Sequence, residues 1–430
     1  TSPQLKYLKK YSKAIEGLPS VLQIAGGVGP TLDPEGVLAG TSVDGVAIGE
    51  GELPLDSLLK TLNAGGDIHS THGFYWRTDG RIVKNPVPQF ISDLSRLDLP
   101  DYSVFDRDVV QTGSGIDLIL SRGCPYGCAY CCNKAIRSVY PSAGGYFRAP
   151  SVEHCMELLE SVLQQYPGTK HVNFEDDLLI ANKDWFLSFA SEYRRRISVP
   201  YRVAIRTECV DRDIVRALKE SGCDLVCLGL ESGNEAVRRD LLKRHHSNAQ
   251  ILEKAKMVRE VGMKLFTFNM VGLPFETKDQ MRDTLELNRK IRSDCGACNF
   301  FYPFPGTELY DTCEREGLIE PTGGLLTQSN YSTRPVLRLT RAQERDAIRA
   351  RKKLLNYFYW QDLRYEHRRS SSCHSGPAVA LKLARLLGIY LLKRLSSPHK
   401  KGSLYRRVID SKARIRLWQR ISSARARAIG

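Results

Sequence analysis

Four of the chain's 12 cysteines fall within nine positions of the stretch LILSRGCPYGCAYCCNKAI, residues 118–136. Three of them, Cys124, Cys128 and Cys131, are spaced C-x3-C-x2-C. Clustered thiolates hold zinc or an iron–sulfur cluster. Structural zinc wants four ligands, usually as two CxxC-type pairs, and no second pair is well placed here. A cubane cluster held by three thiolates leaves one iron open, and an open iron can chelate a substrate. The competing reading is a group of buried free cysteines, which behave as small hydrophobes. That reading suits Cys155, Cys209, Cys223 and Cys227, which lie inside helix or strand patterns. Cys295, Cys298 and Cys313 form only a CxxC plus one distant thiol, a weak pattern for a second cluster. His245 and His246 fall on a polar turn and read as surface.

Chemistry of this kind needs a scaffold. The residues before the cysteines, IDLILS (116–121), read as a strand, so the loop leaves a strand's C-terminal end, where α/β barrels place their active sites. After it, strand and helix alternate. Helices are expected at 151–166 with Ser151 as N-cap, after Asn182, over DRDIVRALKESGC closed by Gly222, over SNAQILEKAKMVREVG ending at Gly262, and over TKDQMRDTLELNRKI. Strands are expected at KHVNF, YRVAIRTE, DLVCLGLESG, KLFTFNMVGLP and ACNFFYPFPGT. DLVCLGLESG has no polar residue between Leu225 and Leu230, as in a parallel strand buried on both faces. Six strand–helix units predict an α/β fold with a partial (βα)6 parallel barrel. Polar groups stand at the strand ends: Asp176 and Asp177, Arg206 and Glu208, Glu231 and Ser232, and Gly272 through Glu276. Asp211, Asn234 and Thr277 read as helix caps.

The cysteine spacing, with an aromatic residue just before its last Cys, resembles the radical S-adenosylmethionine (AdoMet) superfamily. The resemblance implies that Cys124, Cys128 and Cys131 bind a 4Fe–4S cluster whose fourth iron chelates the amino and carboxylate groups of AdoMet. Tyr130 matches the position that approaches the adenine, and Cys132 lies outside the pattern. Asp176, Asp177, Arg206, Glu231, Ser232 and Gly272 fall in strand-end motifs that hold AdoMet in the family. FEDDLLIANKDWF, VGLPFET and PFPGTELYD look like the cobalamin-dependent branch. One electron would cleave AdoMet, and the 5′-deoxyadenosyl radical would abstract hydrogen from an unactivated carbon. Methylcobalamin would then deliver a methyl group. Oxidative cyclisation or rearrangement is the alternative outcome. A catalytically idle, membrane-associated binding protein is the non-enzyme alternative, and the intact cysteine trio argues against it.

Residues 1–85 extend the resemblance. Helix, strand, loop, strand and helix are expected over residues 1–62, with Gly26-Gly27 after the first strand and GEGE, including Glu50 and Glu52, after the second. Paired glycines permit close approach to a bulky cofactor. Both stretches look like the second half of a Rossmann-like cobalamin-binding domain, with Gly26, Gly27, Glu50 and Glu52 at the cofactor. Its first half and its lower-ligand Asp-x-His-x-x-Gly motif are missing, and DIHSTHG (67–73) is read as a chance likeness. Cobalamin is therefore expected in the full-length protein rather than in these 430 residues. Residues 86–112 read as a Pro-rich linker, 113–315 as the barrel, and 316–430 as a helical, basic region.

Charge is uneven. Residues 341–430 hold 23 Lys/Arg against 5 Asp/Glu, so the tail carries +18 and the remainder −3 of the net +15. AVALKLARLLGIYLLKRL (378–395) leaves a wide apolar face beside its basic residues. A helix lying on an anionic membrane surface, a helix docked on the barrel with a solvated basic edge, and nucleic-acid binding all remain open, although no nucleic-acid module is recognisable. No apolar run is long enough to span a bilayer and no signal peptide opens the chain. The expected setting is cytoplasmic, or peripheral on the membrane. The expected partners are a small-molecule or lipid-like substrate and a reductant such as flavodoxin or ferredoxin.

Overall fold

The computed structural model describes residues 2–18, 21–104, 111–112, 115–142, 144–319 and 334–371. The chain divides into two compact units, Thr1–Phe358 and Tyr359–Gly430. The first unit carries two sheets. In one, β1 (Ile24–Ala25) pairs parallel with β2 (Gly45–Ala47), which is followed by antiparallel β3 (Phe74–Thr78) and β4 (Arg81–Lys84). The helices Ser2–Ile15, Val28–Leu32, Pro34–Gly40 and Glu52–Asn63 accompany this sheet. The helix–strand–loop–strand–helix order expected over residues 1–62 is present. The hairpin of β3 and β4 was not expected. Its turn residues, Asp79 and Gly80, both have positive φ (49° and 73°). An Asp-Gly pair is a strong two-residue hairpin signal of this kind.

The second sheet has seven strands. A short β5 (Gln111–Thr112) pairs antiparallel with β6 (Gly115–Leu118). Then β7 (His171–Phe174), β8 (Tyr201–Ile205), β9 (Cys223–Glu231), β10 (Lys264–Val271) and β11 (Cys295–Phe300) follow in sequential parallel order. These six parallel strands curl into the expected half-barrel. Sequential order follows from the helices between the strands, since each crossover returns the chain beside the strand it left. The helices start where the sequence caps them. Ser151 Oγ accepts from His154 N at 3.2 Å, Asn182 Oδ1 from Trp185 N at 3.1 Å and Asp211 Oδ1 from Ile214 N at 2.9 Å. Thr277 and Gln280 form a reciprocal capping box.

The main core lies between strands and helices. Ile116, Val172, Phe174, Val203, Val226 and Leu228 of the sheet meet Leu159, Phe189, Tyr193, Leu218, Ile251 and Val258 of the helices, all buried. Cys155 and Cys223 belong to this core, as expected of small hydrophobes. Cys298 packs with Val271 and Phe300, whereas Cys313 packs with Phe301 and Leu309 in a different cluster. Those two thiols do not share a site. The helix Arg341–Ser371 supplies Ala347, Leu354 and Phe358 to the Cys298 cluster. The region 86–104 is anchored by buried Phe90 and Leu94. Among the described residues, no helix is long and apolar enough to cross a membrane. The proposed surface helix at 378–395 and the basic segments after it lie outside the described residues.

Candidate functional site

Parallel pairing puts the C-terminal ends of β6 to β11 on one edge of the sheet. The cysteine loop emerges there, directly after β6. Gly123 turns at φ +83°, and a Cβ at this position would stand 2.5 Å from Tyr146 O. Only glycine fits both constraints. The loop base is fixed by Asp176, a buried residue two positions beyond β7. Its carboxylate accepts from the amides of Leu120 and Ser121 and from Ser121 Oγ. Burial raises the Asp176 carboxyl to about 6. Asp176, expected at AdoMet, is thus engaged in holding the β6 end. Its neighbour Asp177 is exposed, and its charge reaches Cys131 and Cys132.

Cys128 is buried, and Cys124 and Cys131 are half-buried; none is in a disulfide. Cys131 caps the helix Cys132–Ser138. A hydrogen bond from Cys132 lowers the Cys131 thiol to about 7, against the effect of burial. Burial raises Cys124 to about 11. As the side chains stand, no three or more Cys, His, Asp or Glu among the described residues form a metal site; the Cys131 sulfur contacts Cys132 and Asn133. The donor set nevertheless fits an iron–sulfur cluster: three soft thiols on one loop, with a cationic donor at one of them. Arg206 Nη1 stands 2.9 Å from Cys128 Sγ.

Arg206 follows β8 and is buried. Its Nη2 donates to Glu208 Oε1 at 2.7 Å, and its guanidinium lies 3.9 Å from the Tyr126 ring centroid. Glu208 in turn is 3.2 Å from His246 Nδ1. Burial works against the Glu208 anion, yet the close His246 imidazole and the Arg206 charge hold its carboxyl well below the usual carboxylate range. His246 is therefore not a surface residue, which corrects the sequence reading; His245 alone is exposed.

At the end of β9, Glu231 takes φ +65°, an unusual left-handed conformation for a carboxylate residue. The buried Arg238 holds the following turn through Nη1 to Ser232 O at 2.7 Å. Ser232 is itself fully buried and its Oγ accepts from Asn234 N. Arg244 joins the group: Nη1 donates to Tyr130 Oη at 3.2 Å and lies 3.9 Å from Glu231 Oε1. Tyr130 and Glu231, both half-buried, and the buried Arg244 thus form one polar cluster beside the cysteines. Beyond β10, the amides of Gly272 and Leu273 donate to Glu276 Oε2 at 2.8 and 3.1 Å.

Gly26 and Gly27 lie between β1 and the helix Val28–Leu32, with Gly27 at φ +92°. Glu50 and Glu52, expected at the corrin, each pair with arginine. Arg148 donates from Nη2 to Glu50 Oε1 and from Nη1 to Glu50 Oε2. Arg122 reaches Glu50 Oε2 at 3.1 Å and Glu52 Oε1 at 2.6 Å. Arg122 immediately precedes Gly123 and bridges to Arg148 backbone to backbone, so this network ties the front sheet to the cysteine loop. Glu50→Ala would leave the buried Arg148 guanidinium without its carboxylate. An isolated buried charge is expensive, so we expect a loss of about 3 kcal/mol. The Arg122–Glu52 pair is a third exposed on each side, so Glu52→Ala should cost below about 1 kcal/mol. Denaturant unfolding compares them; equal small losses would show that solvent screens the whole network.

Arg122, Tyr126, Arg148, Arg244 and His246 were missed as site residues. Their partners are up to 114 positions away, as in the Arg244–Tyr130 pair, and no local pattern marks such a pair.

A curled parallel half-barrel with a three-cysteine loop at its C-terminal edge defines the class. The family described as the radical SAM superfamily matches residues 118–287, from the end of β6 to the last crossover helix. Curated relatives include an uncharacterized methyltransferase of Pyrococcus horikoshii, 24% identical over 68% of this chain and 63% of its own length. Another is the cytidylyl-2-hydroxyethylphosphonate methyltransferase of Streptomyces wedmorensis, 22% identical over 71% and 64%. A third is the anaerobic magnesium-protoporphyrin IX monomethyl ester cyclase of Cereibacter sphaeroides, 22% identical over 69% and 49%. The chain thus spans about half to two thirds of these relatives. The methyltransferase TsrM of Kitasatospora setae, solved with cobalamin and a [4Fe-4S] cluster bound, shares the fold with a TM-score of 0.63 at 17% identity, covering 75% of this chain and 65% of TsrM. OxsB, solved with aqua-cobalamin and S-adenosylmethionine bound, aligns with a TM-score of 0.53 at 18% identity, covering 72% and 44%.

Proposed function

We propose that this chain is the catalytic part of a cobalamin-dependent radical AdoMet enzyme that methylates an unactivated carbon of a small-molecule or lipid-like substrate. The observation that carries the proposal is the placement of Cys124, Cys128 and Cys131 on one loop at the C-terminal edge of the half-barrel, with Arg206 donating to Cys128 Sγ. When bound, the cluster supplies the electron that splits AdoMet, and cobalamin supplies the methyl carrier. The chain's own residues position and shield. Cys124, Cys128 and Cys131 hold the cluster. Tyr130, Asp177, Glu231 and the turn at Gly272 border the AdoMet side, while Asp176 and Ser232 stiffen the strand ends that carry them. Gly26 and Gly27 offer backbone to the corrin from the front sheet, and Arg122 and Arg148 bind Glu50 and Glu52 so that the sheet faces the cluster loop. A low-potential donor such as flavodoxin or ferredoxin provides the electron. The likeness to ester cyclases favours one second reading, oxidative cyclisation without methyl transfer.

Anaerobically reconstituted protein given reductant, cobalamin and AdoMet labelled in its methyl group tests both. Formation of 5′-deoxyadenosine with label in the product supports methylation. 5′-Deoxyadenosine with an unlabelled, oxidised product supports cyclisation. Absence of AdoMet cleavage by protein carrying full iron removes both readings.

A further inference from the structure

We infer that Arg206 is a positioning residue that sets the reduction potential of the cluster through Cys128, rather than a ligand of AdoMet. The inference rests on the cluster assignment above and adds a role for a residue that the family resemblance placed at the cofactor.

Four observations converge on this guanidinium. Its Nη1 is 2.9 Å from the sulfur of a proposed iron ligand. Its Nη2 is taken by Glu208 at 2.7 Å. Its face lies on Tyr126 at 3.9 Å. Its remaining Nε is buried and meets no partner among the described residues. Both terminal nitrogens are thus committed to protein groups, and the side chain is locked by stacking. Glu208 is held in turn by His246, itself buried. The arrangement reads outward as sulfur, guanidinium, carboxylate and imidazole, a layered support of the kind that orients groups around a metal centre.

The physical consequence has a sign. Reduction adds one negative charge to the cluster. A permanent cation hydrogen-bonded to a ligand sulfur stabilises the reduced form more than the oxidised one, and burial strengthens the effect. The Glu208 anion offsets part of this, but it lies on the other side of the guanidinium, bonded to the other terminal nitrogen. Arg206 therefore raises the midpoint potential and makes the cluster easier to reduce. The electron comes from the low-potential one-electron donor. No bond at Arg206 forms or breaks, and no proton moves.

The test is a mediated redox titration of the full chain after anaerobic reconstitution, followed by the electron paramagnetic resonance signal of the reduced cluster, with iron counted in every sample. Arg206→Gln keeps a hydrogen-bond donor and removes the charge. At the potential that half-reduces the wild type, its reduced-to-oxidised ratio should fall at least tenfold, which is about 59 mV for one electron. Arg206→Lys keeps the charge but loses the planar fork, and should shift the ratio in the same direction by less. A fully loaded Arg206→Gln protein whose ratio stays within tenfold of the wild type overturns the inference. If neither variant takes up iron, Arg206 is needed for assembly rather than tuning, and the inference is likewise overturned. Failure of the wild type itself to take up iron is a different result. It removes the cluster assignment, and the inference with it.

Discussion

Replacing Cys124, Cys128 or Cys131 singly by alanine should abolish iron uptake, whereas Cys132→Ala should retain it. The wild-type chain should take up about four irons on anaerobic reconstitution, because three thiolates can hold a cubane with one iron open. Two thiolates hold only two corners, and among the described residues no other Cys stands ready to replace the third. Cys132 is the nearest candidate, but it opens the helix Cys132–Ser138 and its thiol is hydrogen-bonded to Cys131. Cys209 is also near, with its sulfur 3.4 Å from Tyr126 Oη, and Cys209→Ala is a second control that should keep the iron. Iron analysis and the visible absorbance of the cluster measure the outcome. Zinc without iron in the wild type would sink the assignment. Loss of iron in Cys132→Ala would mean that the helix start, not only the thiol pattern, shapes the loop.

The barrel was legible because its signals are local. A capping residue, an apolar stripe and a closing glycine mark each helix within about 15 residues. Gly222 and Gly262 stand past the helices Arg212–Glu220 and Asn248–Glu260 at positive φ, where the pattern placed them. The apolar run of β9 shows burial on both faces without reference to any partner. The hairpin β3–β4 had a local signal too, in the sequence TDGR, but its strands are short and β4 is largely exposed, so the alternation is faint. Charged residues were harder to place. Glu50 lies next to a glycine at a strand end, which suggests a cofactor contact. Its actual partner, Arg148, is 98 positions away. His246 sits in a run of polar residues yet is buried, with Glu208, 38 positions away, 3.2 Å from its Nδ1. Type and spacing identify a donor set, but an ion pair is a property of the fold.

The second large effect concerns pH and comes from Glu276. Its carboxyl is buried under the turn after β10. One oxygen accepts from Gly272 N and Leu273 N, and the other meets no partner among the described residues. Burial dominates the two hydrogen bonds and raises the carboxyl from 4.5 to about 8. The sign follows from which state binds the proton more tightly. The folded chain keeps Glu276 protonated at pH values where the unfolded chain has released the proton. The group's stabilising contribution is therefore complete below about pH 4.5 and is lost as pH rises to about 8. Between about pH 5.5 and about pH 8.5 the loss should be of the order of 3 kcal/mol. Glu276→Gln keeps an oxygen for the two amides and carries no charge, so it should flatten this part of the profile. Asp176 shifts in the same direction, to about 6, but it is present in both proteins and cancels in the comparison. The quantity to measure is the difference in unfolding free energy between the two proteins, by denaturant titration across that pH range. The variant should gain on the wild type as pH rises. A difference that does not change with pH would mean that water or backbone movement satisfies the second oxygen, so that the turn carries an ordinary carboxylate. If the gain is found, the turn at Gly272 is held by a neutral acid at physiological pH. Its rigidity would then decline above about pH 8.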